Sequence, residues 1–79
     1  MSNSEILNQI FTEVFLPGDE IPLEERTVLN TENWNSVEHF TFVSLIEEAF
    51  SVKISGEDIP GMTSYGNIQK VLEKYGVPF

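Results

Sequence analysis

Three stretches of apolar residues at helical spacing, separated by proline and glycine, constrain the fold of this 79-residue chain more than any other feature. In the first, Ser2 and Glu5 have capping-box spacing, and Ile6, Leu7, Ile10, Phe11, Val14 and Phe15 fall on one half of a helix that Pro17-Gly18 stops. The second starts at Asn35 or Ser36 and runs to about Phe50, with Phe42, Val43, Leu45, Ile46, Ala49 and Phe50 gathered on one arc. In the third, Thr63 or Ser64 caps a stripe of Tyr65, Ile68, Val71, Leu72 and Tyr75, which Gly76 and Pro78 end. Between the last two, Ser55 caps a short turn of helix around Ile59 that Pro60-Gly61 interrupts. The pattern predicts an all-α fold, one domain over residues 1–79: a four-helix bundle of three main helices and one short one.

The weak point of that prediction is the connection over residues 16–35, long for a small domain unless something pins it. Ile21, Leu23, Val28 and Leu29 are its apolar residues, and one turn of helix can follow Pro22. A chain of this size buries only about 60% of its unfolded surface, so one modest core and no deep cleft are expected. Without cysteine there are no disulfides and no thiolate ligands, and the single histidine, His39, cannot make a zinc site alone. Any working thiol has to be imported. Gly18-Asp19-Glu20 lacks the alternating oxygen ligands of a calcium loop. Met1–Glu5 has neither the basic start nor the apolar run of a signal peptide, and no segment approaches membrane-spanning length, so a cytoplasmic protein is expected.

Charge is uneven along the chain. Residues 1–50 hold ten acids and one base, Arg26, whereas residues 51–79 hold three acids and three lysines. The whole net charge of −9 therefore belongs to the first 50 residues. Such a surface repels nucleic acid and anionic lipid and attracts basic faces on partner proteins. Acidic charge of this kind also serves solubility alone.

The functional signal is concentrated in the second helix. Opposite its core arc lie Ser36, Thr41, Ser44, Glu47, Glu48 and Ser51, as on any solvated face, but Val37 and Phe40 fall there too. Two apolar side chains ringed by acids beside a serine make a docking patch, unless the long connection folds over them. Asn35 or Ser36 caps the helix. If Asn35 does, the Ser36 hydroxyl is free, beside unpaired backbone N–H groups at the positive end of the helix dipole, a place suited to a covalently held phosphate. A serine hydrolase needs a positioned base and an oxyanion site, and His39, one turn on, has no evident orienting group or cleft.

At these residues the chain resembles the acyl carrier protein family, whose Asp-Ser-Leu motif, Glu-Glu-x-Phe ending and aliphatic exit are matched by Asn35-Ser36-Val37, Glu47-Glu48-Ala49-Phe50 and Val52-Lys53-Ile54. Glu57-Asp58-Ile59 and Met62-Thr63-Ser64 look like its third helix and the following cap. The resemblance implies an acyl-carrier-type bundle in which a separate phosphopantetheinyl transferase places 4′-phosphopantetheine on Ser36. The arm's thiol would then hold an acyl, polyketide or aminoacyl group as a thioester. It makes Val37, Phe40, Ser44, Glu47 and Glu48 the partner-recognition face and sets Ile54 near the arm. Asn35 departs from the family's Asp, Thr41 stands where Glu is frequent, and Trp34 and His39 differ from the fatty-acid housekeeping form. The expected protein is a free-standing, monomeric, non-catalytic carrier for a specialised pathway or fatty acid synthesis, visited by loading and synthase enzymes with basic docking faces. The alternative is an unmodified module of the same kind acting as a protein-binding adaptor.

Overall fold

Side-chain caps set the start of every helix. In the computed structural model, which describes all 79 residues, Ser2 and Glu5 form the predicted capping box on α1 (Asn3–Phe15). Asn35 caps α2 (Ser36–Phe50), and Ser64 caps α3 (Tyr65–Lys74) by accepting the Asn67 N–H at 3.1 Å. Gly66, in the first turn of α3, is thus held in a closed helical turn despite its intrinsic cost. Leu16 and Ser51 end the first two helices in the left-handed conformation, with φ of 45° and 54°.

The fold is all-α: three helices, three one-turn 3-10 segments and no strand. The expected short fourth helix is a single 3-10 turn, Ile59–Gly61. Pro60 has no N–H to donate and Gly61 is a poor helix former, so the turn does not propagate.

The predicted faces of α1 and α3 supply half of the buried core. Leu7, Phe11, Phe15, Phe42, Ile46, Met62, Ile68 and Leu72 are fully buried. Phe11 is central: its ring meets Phe15, Trp34, Phe42 and Tyr65 edge-on at centroid distances of 5.0 to 5.9 Å, a preferred geometry for aromatic pairs. Phe15 stacks on Trp34 at 4.5 Å. Two residues assigned to the core arc of α2 do not reach it. Leu45 is 38% exposed and Ala49 is exposed, because both lie at the edge of an arc filled by Phe42, Val43 and Ile46.

The long connection is pinned chiefly by polar cross-links. Val28 is exposed and Leu29 almost wholly so, whereas Ile21 and Leu23 are half-buried. Arg26, 4% exposed, does more: its guanidinium donates to the carbonyl of Asn30 at 2.8 Å and to that of Pro17, tying the start of the connection to its later turn. Val28 N–H to Thr63 carbonyl and Tyr65 N–H to Arg26 carbonyl, both 3.0 Å, then fasten the connection to the start of α3. Asn33 Nδ2 donates to the Phe15 carbonyl at 3.1 Å, and Trp34 plugs the core.

A second polar latch holds the link from α2 to α3. Lys74 Nζ lies 3.0 Å from both Asp58 oxygens, the Tyr75 hydroxyl donates to Asp58, and Tyr75 in turn accepts the Ser55 N–H at 2.9 Å.

Candidate functional site

The start of α2 is built by Asn35. Its side-chain oxygen accepts the Glu38 N–H at 3.0 Å, so the cap is occupied by Asn35 and the Ser36 hydroxyl is left uncommitted on an exposed first helical residue. The N–H groups of Ser36 and Val37 precede any intrahelical acceptor, as the first turn of a helix requires. A hydroxyl is therefore presented beside free donors at the positive end of a 15-residue helix.

One turn further on, His39 fixes the neighbourhood. Trp34 Nε1 donates to His39 Nδ1 at 2.9 Å, which leaves Nε2 to carry the proton and donate to the Ile59 carbonyl, also at 2.9 Å. Both ring nitrogens are engaged, Nδ1 with Trp34 just before α2 and Nε2 with the 3-10 turn at Ile59. His39 is thus not free to act as a general base toward Ser36.

The residues expected to form the docking face differ in exposure. Val37 is 71% exposed and Phe40 61%, so the connection does not fold over them. Ser44 and Glu48 are exposed beside them, and the Thr41 hydroxyl is turned back onto the Val37 carbonyl at 3.0 Å. Glu47 is half-buried and carries a structural task, its Oε2 accepting the Ile54 N–H at 2.8 Å just beyond the helix end. Ile54 requires correction: at 3% exposure it belongs to the core, because that hydrogen bond turns the exit segment inward, and its side chain is absent from the docking face.

A groove of about 380 Å³ opens beside Ser36, walled by Trp34, His39, Phe40, Val28, Ile59 and Pro60. Sequence reasoning placed none of these except Phe40 at the site. His39 was legible as a neighbour of Ser36 one turn on, Trp34 stood out only as a departure from a family pattern, and the turn's approach to α2 is a tertiary event with no local signal. Arg26, the one base of the first 50 residues, is buried in the connection and does not line the groove. No group of three or more metal-ligating side chains converges anywhere in the fold, and no helix is long and apolar enough to cross a membrane. Comparison with protein-family models, with curated proteins and with solved structures returns no match.

Proposed function

We propose that the chain is a non-catalytic carrier of the acyl-carrier type, with the 3-10 turn at Ile59–Gly61 standing for the short helix of that bundle and Ser36 as the attachment point for 4′-phosphopantetheine. The observation that carries this reading is the division of labour at the start of α2: Asn35 takes the cap and Ser36 is left exposed with its hydroxyl free. The donor set fits the group, since the free N–H groups of Ser36 and Val37 suit a phosphodiester anion.

Modification would join Ser36 Oγ to the phosphorus of the pantetheine phosphate of coenzyme A. The pyrophosphate P–O bond breaks, adenosine 3′,5′-bisphosphate leaves, and the serine proton passes to a base of the transferase. When bound, the arm supplies the thiol that the cysteine-free chain lacks, able to hold a cargo as a thioester. The chain's own residues present and steer. Val37 and Phe40 give the desolvated contact, Ser44 and Glu48 border it, and acids draw basic partner faces into register. Such a carrier works in the cytoplasm beside its transferase, loading enzymes and synthases. Cargo tethered to it gains effective concentration at each partner's active site.

Because the chain has no cysteine, incubation with coenzyme A and a broad-specificity transferase should create one titratable thiol per chain where there was none. Persistence at zero across several transferases would contradict the proposal. Asn35, in place of the family's Asp, favours one second reading, an unmodified adaptor that uses the same face. It predicts no thiol but intact partner binding.

A further inference from the structure

The depressions of this molecule lie in places that bear on what such an arm can carry. There are four, and none is lined by Phe11, Phe42, Ile46, Ile68 or Leu72. Two border the Leu16–Gly18 corner, one lies along Thr27–Leu29, and only the remaining one reaches Ser36. The bundle interior is filled instead by rings, with Phe11 contacting four aromatic neighbours and Phe15 sandwiched between Trp34 and Phe42. Close-packed rings leave no channel from Ser36 inward.

The groove at Ser36 offers a different surface. The Trp34 and His39 rings lie nearly parallel, 23° apart with centroids at 6.3 Å, and the exposed Phe40 ring meets His39 edge-on at 6.2 Å. His39 is held there by its two hydrogen bonds, so this wall is preformed. Ile59 and Pro60 also line it, Ile59 joined to His39 through its carbonyl. A flat ring or a short acyl group can lie against such walls without disturbing the core.

Resting on the carrier reading above, we infer that cargo on Ser36 stays outside the bundle, in the Trp34–His39–Phe40 groove, and that the chain is suited to aromatic or short acyl groups.

The test exploits the absence of cysteine. In Ser36→Cys the new thiol is unique, and its thiolate displaces iodide from an iodoacetamide whose pantetheine-length linker ends in a benzyl or an octyl group. Amide and side-chain NMR shifts are then compared with those of wild type loaded by a transferase from benzoyl- and octanoyl-coenzyme A. The expected result is ring-current shifts at Trp34, His39, Phe40 and Ile59 with the aromatic groups, and unchanged Phe42, Ile46 and Ile68 with either. Contacts from the octyl chain to Phe42, Ile46 or Ile68 would overturn the inference by placing cargo inside, and so would the absence of shifts at the groove with both groups. If the transferase does not load wild type while the alkylated Ser36→Cys adducts settle in the groove, the groove stands and the carrier reading fails.

Discussion

Glu47 and Glu48 are neighbours of the same charge with different work. Glu48 is exposed on the proposed docking face, whereas Glu47 caps the Ile54 N–H and keeps the chain turned toward the core. Glu48→Lys should weaken binding to a basic partner, raise its salt sensitivity and leave the melting temperature within the small range of surface substitutions. Glu47→Lys should in addition destabilise the fold by roughly 1–2 kcal/mol, by removing a charge-assisted hydrogen bond. Thermal melts beside partner-binding titrations separate the two, and equal stability of both variants would contradict the assigned role of Glu47. Much of this face was legible in the sequence, because helical periodicity alone puts Val37, Phe40 and Ser44 outward. The inward turn at Ile54 was not, since it depends on a side chain reaching seven residues along the chain.

Among the elements, the helices were readable from their caps and stripes, and the connection between the first two was not. Nothing local distinguishes Arg26 from a solvated surface base. Its role comes from carbonyls at Pro17 and Asn30 that only the folded connection brings together. Arg26→Ala would leave those carbonyls without their charged donor and should cost roughly 2–4 kcal/mol, read as a lower denaturant midpoint with faster hydrogen exchange across residues 17–30. A midpoint equal to wild type would show that Trp34 and Leu23 suffice to hold the connection.

The latch at Asp58 has a pH signature. Hydrogen bonds from Tyr75 and then Lys74 hold its carboxyl below the usual aspartate value, and Asp58 in turn raises the Lys74 ammonium above its own. A lowered carboxylate stabilises the fold above its unfolded pKa of about 3.9 and ceases to as pH falls through the folded value. The Lys74 contribution is present below about pH 10 and is lost as pH rises through its raised value. Asp58→Asn should therefore melt below wild type at neutral pH, and the gap should narrow as pH falls below the unfolded aspartate value of about 3.9. A gap of constant size across that range would contradict an ionic latch.

The whole molecule is a small aromatic-cored bundle under a one-sided charge. Its radius of gyration of 11.5 Å matches the roughly 11.6 Å expected for a packed chain of this length. With net charge −9 spread over that surface, acids lie within mutual reach at low ionic strength, where the Debye length is about 30 Å at 0.01 M. Added salt should raise the melting temperature, and a fall would mean that attractive pairs such as Asp58–Lys74 dominate. The proposed working side centres on Ser36, whose hydroxyl the Asn35 cap leaves free at the start of α2. Whether that serine takes the arm is decided by intact mass after incubation with coenzyme A and a transferase, for wild type beside Ser36→Ala. A carrier gains one phosphopantetheine in wild type and none in the variant, and an equal gain in both, or a gain in neither, would contradict the assignment of Ser36.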